Sequence, residues 1–273
     1  MIFGKGKQIE ALREERERLR ARIRELEKAG KGRGPAGVPL QELAYNSDGL
    51  SVWGKNLAFL EEERFRRAYL KGAGSGHRFT SDLDAFHIEW RVHIILWASG
   101  IGLRLEGDFV ECGVNTGIFS LAIADYHDFA SSGRKFYLFD TFCGTPEEQM
   151  SDEEKEKRLR DNEFLYPDCY DLAKSNFAPY PNIELVRGRV PETLEGAGIG
   201  KVAYLSIDMN VAEAERAAIE YFWDRLVPGA PVVLDDYGWV TCEMQKAALD
   251  DFAAGVGTSI ATLPTGQGLM FKC

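Results

Sequence analysis

The sequence predicts an α/β protein, a mostly parallel seven-stranded sheet with helices on both faces. Three observations predict it. From Gly107 onward, short apolar runs of strand length alternate with helical stretches. A glycine-containing loop, Glu111–Gly117, separates the first of these runs from the helix after it. Acidic residues close several of the runs, at Asp140, Asp208 and Asp235-Asp236.

The elements follow in order. Ile9, Leu12, Leu19, Ile23 and Leu26 fall on alternating three- and four-residue steps, with Arg16 at the skipped position. This is a heptad seam about three repeats long. It reads either as a solvated helix held by Glu/Arg pairs or as a short dimeric coiled coil, which would make the protein a homo-oligomer. The Gly/Pro segment 29–39 ends it. A second helix is expected over about Val52–Lys71, with Trp53, Leu57, Leu60 and Ala68 on its apolar side. Gly72–Gly76 breaks it, and Ser81 or Asp82 then caps a helix that carries Phe86, Trp90, Ile94 and Trp97 to about Ser99.

Strands are expected at Asp108–Glu111, Lys135–Asp140, Ile183–Arg187, Val202–Asp208, Pro231–Asp235, Ser259–Leu263 and Gly268–Lys272. Helices are expected at about Ile118–Phe129, Ala212–Leu226 and Cys242–Gly255. The last two strands, joined around Pro264–Gly266, read as a hairpin that adds an antiparallel strand. The organisation is thus a charged helix and linker (1–39), a helical region (40–106) and the α/β domain (107–273). An insertion at 143–181, low in apolar residues, reads equally as a lid or as a solvated helix.

Composition narrows the function. The net charge is −10, which disfavours wholesale nucleic-acid binding. Residues 5–28 carry +3, so the rest carries −13, and the basic segment suggests a contact surface. The five cysteines form no C-x-x-C and no zinc spacing, as expected of reduced thiols in a cytoplasmic protein. No secretory h-region follows Met1, and the apolar stretch Ile94–Gly102 is too short for a transmembrane segment.

The chemistry sits at strand ends. Glu111-Cys-Gly113-Val-Asn115-Thr116-Gly117 lies where a nucleotide-type ligand meets a parallel sheet. Its spacing is not G-x-G-x-x-G, and it lacks a Walker lysine. Asp140 can accept both ribose hydroxyls of a nucleoside, or it is a cap at a strand end. Asp208, Asp235 and Asp236 would be neighbours at the C-terminal edge of the sheet, where they would repel unless a cation or proton intervened. Oxygen-only ligands favour Mg²⁺ or a similar hard divalent cation. The alternative has one Asp capping a helix and another paired with an arginine. Asn210 could add an amide oxygen or bond a substrate hydroxyl. Phe142, Tyr237 and Trp239 are either packing residues or faces for an adenine or a sugar, and a catalytic His87 or His93 is disfavoured against packing.

These residues, with Leu138-Phe-Asp140-Thr141-Phe142, Gly188-Arg-Val-Pro-Glu-Thr-Leu194 and Asp235-Asp236-Tyr237, resemble the macrocin O-methyltransferase (TylF-like) family over about Ser81–Cys273. The resemblance implies a Rossmann-like class I methyltransferase fold. It also implies metal-assisted methylation of a hydroxyl, commonly on a sugar or glycosylated small molecule. It would place S-adenosylmethionine against Glu111, Gly113, Asn115, Thr116, Gly117, Asp140, Thr141, Phe142 and Gly188, and the metal on Asp208, Asp235 and Asp236. The family commonly shows Asp-x-Asp after strand four, its second Asp a plausible base. Here that position is Asn210, which takes no proton at neutral pH. Asp208, Asp236 or the metal alone would then handle the proton. Two other readings are a non-catalytic scaffold, which Asn210 favours, and an NAD-dependent oxidoreductase, which the missing G-x-G-x-x-G disfavours.

Overall fold

A computed structural model describes residues 43–78 and 87–273. The heptad seam, the Gly/Pro linker and the Ser81, Asp82 and Phe86 positions lie outside the described residues. Contacts divide the chain after Leu57.

Ahead of that division, β1 (Leu43–Ser47) and β2 (Leu50–Trp53) form an antiparallel hairpin in which Ser47 pairs with Leu50. Asp48 (φ 52°) and Gly49 (φ 69°) make the two-residue turn. Two successive positive φ angles match the right-handed twist of a hairpin, and Asp-Gly adopts them at low cost. The expected helix from Val52 is therefore corrected. Val52 and Trp53 are strand, and the helix begins only at Glu63.

The unit Ala58–Cys273 opens with α1 (Glu63–Ala73) and, after the gap in description, α2 (Glu89–Gly102). Phe65, Ala68 and Gly72 recur at three and four residues and form the buried stripe of α1. Strand β3 (Asp108–Cys112) leads through the loop to α3 (Ile118–Tyr126), and β4 (Phe136–Asp140) follows. The insertion folds as α4 (Asp152–Phe164) and α5 (Tyr170–Phe177). Then come β5 (Ile183–Arg187), β6 (Val202–Ile207), α6 (Ala212–Trp223), β7 (Pro231–Leu234), α7 (Glu243–Gly255), β8 (Ala261–Thr262) and β9 (Gly268–Phe271).

Seven strands pair in the order β5-β4-β3-β6-β7-β9-β8. The ladders from β5 through β7 are parallel, and β9 runs antiparallel to both β7 and β8, as the expected hairpin requires. Helices α3 and α6 and the terminal ends of β3, β4, β6 and β7 therefore converge where the strand order reverses beside β3, the usual ligand crevice of such sheets.

Successive strand residues face opposite sides. Phe109, Leu138 and Val233 join one buried cluster, while Val110, Phe139 and Val232 join the other. Each such side chain contributes about 1.5–3 kcal/mol by leaving water. Ser151 and Glu154 form a capping box at the start of α4. The other Glu154 oxygen accepts from the Ala212 N–H (2.9 Å), which ties the insertion to the start of α6. The insertion is thus not a merely solvated segment. Glu154 and Arg158 point inward and are buried.

Candidate active site

A cavity of about 270 Å³ opens at the C-terminal edge of the sheet. The loop after β3 forms its floor. Gly113 has φ +89°, and a Cβ there would stand 1.8 Å from the Asp208 carbonyl oxygen. Only glycine lets this loop lie against the end of β6. Glu111, the last-but-one residue of β3, is almost wholly buried in the cavity wall. Its Oε2 has no hydrogen-bond partner among the described residues. Burial, reinforced by Asp235 and Asp140, raises its pKa well above the usual carboxylate range.

Asp140, at the end of β4, anchors the loop. Its Oδ2 accepts from the Val114 and Asn115 N–H groups at 2.6 and 2.7 Å, and its Oδ1 from the Phe142 N–H at 2.5 Å. The expected ribose-binding carboxylate thus already serves the backbone, and a ligand would have to use its remaining lone pairs. Phe142 is buried with its ring against Tyr170 (5.3 Å).

Asp208, Asp235 and Asp236 come together as the sequence implied. One oxygen of each lies within 4.8 Å of the others. Burial, then repulsion from Asp235 and Asp236, raises the Asp208 pKa well above the usual range. Burial and Asp235 raise that of Asp236, opposed by Arg158 and Arg91. Asp235 is oriented from both sides. Arg91 of α2 donates to its Oδ2 (2.7 Å), and Gln267 donates to its Oδ1 (3.0 Å). Asp236 Oδ2 is buried without a hydrogen-bond partner among the described residues. An oxygen-only cluster with an unsatisfied buried oxygen fits a hard divalent cation.

Asn210 takes φ +66°, and its N–H donates to Glu215 (3.0 Å). Its Oδ1 accepts from Arg158 (2.8 Å), a buried guanidinium delivered by α4 that also reaches Asp161 (3.2 Å). Tyr166, in the segment after α4, lines the same cavity as His77, and their ring centroids are 6.3 Å apart. Burial, then Asp208 and Asp236, raises the Tyr166 pKa. Burial lowers that of His77 against a hydrogen bond to the Asn115 side chain, and Arg91 lowers it further.

Of the residues expected around a bound nucleoside, Glu111, Gly113, Asn115, Asp140, Thr141, Phe142 and Gly188 line this cavity. Thr116 and Gly117 do not. The Thr116 hydroxyl is buried against that of Ser75 (2.8 Å), and a Cβ on Gly117 would strike the Phe177 ring at 2.3 Å. Both hold the loop from behind. Tyr237 is also a packing residue, its hydroxyl held by Asp250 and Lys246. His93 stacks on Phe59 (4.1 Å), and His87 meets Glu89. Sequence reasoning missed Arg91, Arg158, Tyr166 and His77.

A family model described as macrocin O-methyltransferase (TylF) matches residues 101–260, more than half of the chain. The chain belongs to the TylF family. Among curated proteins it is 29% identical over 164 residues to an 8-demethyl-8-(2,3-dimethoxy-alpha-L-rhamnosyl)-tetracenomycin-C 4'-O-methyltransferase of Streptomyces olivaceus, covering 57% of this chain and 61% of that protein. It is 27% identical over 164 residues to a demethyldecarbamoylnovobiocin O-methyltransferase of Streptomyces niveus, covering 56% and 61%. The match therefore spans about three fifths of each relative's length. Among solved structures, the O-methyltransferase NovP superposes with a TM-score of 0.63 at 21% identity, covering 76% of this chain and 97% of that one. CalS11, a calicheamicin methyltransferase, gives 0.56 at 17% identity, covering 87% and 98%. These two likenesses establish the Rossmann-like class I methyltransferase fold.

Proposed function

We propose that this TylF-family chain is an S-adenosylmethionine-dependent O-methyltransferase, assisted by Mg²⁺ or a similar divalent cation, that methylates a hydroxyl of a sugar or glycosylated small molecule. The carrying observation is one cavity that joins the Glu111–Asn115 loop to the Asp208/Asp235/Asp236 cluster. The sugar acceptor rests on the curated relative of Streptomyces olivaceus, whose name describes O-methylation of a rhamnosyl compound.

S-adenosylmethionine supplies a methyl group on a sulfonium, the leaving group of an in-line displacement. The unsatisfied Glu111 oxygen suits its ammonium, and Gly113, Asn115, Asp140, Thr141, Phe142 and Gly188 would surround the rest. A divalent cation on Asp208, Asp235 and Asp236 would act as a Lewis acid that lowers the pKa of the acceptor hydroxyl. Arg91 and Gln267 fix the Asp235 carboxylate, so its orientation is set before any ligand arrives. Such preorganisation lets alignment supply several kcal/mol, order of magnitude, of the barrier. Asn210 keeps its amide on Arg158 and takes no proton.

Transfer of labelled methyl to TDP-rhamnose and to rhamnosyl glycosides tests the reading. Wild-type turnover should fall on chelation and return with Mg²⁺, and Asp208→Ala and Asp235→Ala should abolish the metal-dependent part. Turnover that neither chelation nor these substitutions alter would remove the cation from the account. Asn210 favours one other reading, a non-catalytic protein on the same fold, which requires that no acceptor be methylated.

A further inference from the structure

Asn210 leaves open which group receives the acceptor's proton, and the cavity answers by exclusion. Asp140 is committed to three loop amides. Asp235 accepts from Arg91 and Gln267. Glu111 is almost wholly buried in the cavity wall and is taken by the donor's ammonium under the proposed function. Asp208 and Asp236 belong to the cation under the proposed function. Tyr166 and Cys169 also line the cavity, and burial raises the pKa of each, so both stay protonated. Among the described residues one histidine lines the cavity, His77.

We propose that His77 is the general base of this site, its imidazole taking the proton of the acceptor hydroxyl from the cavity wall. Three observations place it there. It follows α1 and lines the cavity that Asp208, Asp235 and Asp236 also line. It shares that lining with Gly113, Val114 and Asn115 of the donor loop. The Tyr166 ring lies beside it, and Arg91 is the charge it feels. Burial, then Arg91, lowers the ring's pKa against an opposing Asn115 contribution, which favours the neutral form that can accept a proton.

The step balances. The acceptor oxygen forms a bond to the methyl carbon as the carbon–sulfur bond breaks, and the bonding pair stays on sulfur as a neutral thioether. The hydroxyl proton passes to a ring nitrogen of His77, and the imidazolium returns it to solvent after product leaves. A base of this kind contributes about 10²–10⁴-fold to rate.

This inference rests on the methyltransferase reading, and its test separates the two. With methyl-labelled S-adenosylmethionine as donor and TDP-rhamnose and rhamnosyl glycosides as acceptors, H77Q should bind S-adenosylhomocysteine as wild type does and keep acceptor KM. Its kcat should fall about 10²-fold or more. H77A should lose as much and regain turnover as free imidazole is added. An H77Q kcat within threefold of wild type overturns the assignment. So does an H77A defect that imidazole leaves untouched while S-adenosylhomocysteine still binds. A wild-type chain that binds no S-adenosylhomocysteine instead overturns the underlying reading, and this one with it.

Discussion

At the residue scale, the site depends on positions where one atom decides. Gly113→Ala would place a Cβ 1.8 Å from the Asp208 carbonyl, and backbone on both sides cannot swing away. The left-handed φ alone costs about 1–2 kcal/mol for a non-glycine residue, and the clash adds to it. We expect a urea midpoint clearly below wild type and S-adenosylhomocysteine affinity reduced at least tenfold. Unchanged values for both would contradict the packing of this loop on β6. The candidate residues on short motifs were legible because local backbone geometry places them, as with Glu111, Gly113 and Asp140. The partners that tune them were not. Arg91 meets Asp235 across 144 positions of sequence, and Arg158 meets Asn210 across 52. No periodicity announces such contacts. Thr116 and Gly117 do not line the cavity, and sequence alone does not separate a loop residue beside a cavity from one behind it.

At the element scale, the buried parallel strands were legible as continuous apolar runs, and β5 matched its expected limits, Ile183–Arg187. The β1–β2 hairpin was not, although Asp48-Gly49 carries the turn signal. The aromatic residues after it suggested a longer helix. The joint between α2 and α3 rests on His127, whose Nε2 lies 2.9 Å from Ser99 Oγ and 3.2 Å from the Leu96 carbonyl. Burial lowers its pKa from 6.5 to about 4, against the Leu96 hydrogen bond. Between those values the unfolded chain binds a proton that the folded chain refuses, so stability rises with pH there and is lost as pH falls. From pH 7.5 to 5 the loss is about 2 kcal/mol. Urea unfolding of His127→Gln should show a pH slope shallower by that amount. A slope equal to wild type would mean that the imidazole titrates freely in the folded chain.

At the scale of the whole molecule, the sheet order, with its strand reversal beside β3, brings loops from four strands to one edge, and the insertion adds Tyr166 to the cavity lining and an Arg158 contact to Asn210. No helix of the described residues is long and apolar enough to cross a membrane. The fold class was readable from alternation of strands and helices, since a parallel sheet must be covered on both faces. Whether the insertion contributes to the cavity was not readable, because its charged surface hides the inward-facing Glu154 and Arg158. The central claim is that the cavity holds a methyl donor beside a cation cluster. Isothermal titration calorimetry of the full chain with S-adenosylhomocysteine, with and without Mg²⁺, tests it most directly. The account predicts micromolar binding and a Mg²⁺-dependent heat that Asp235→Ala removes. A folded, ligand-free sample that binds neither would contradict it.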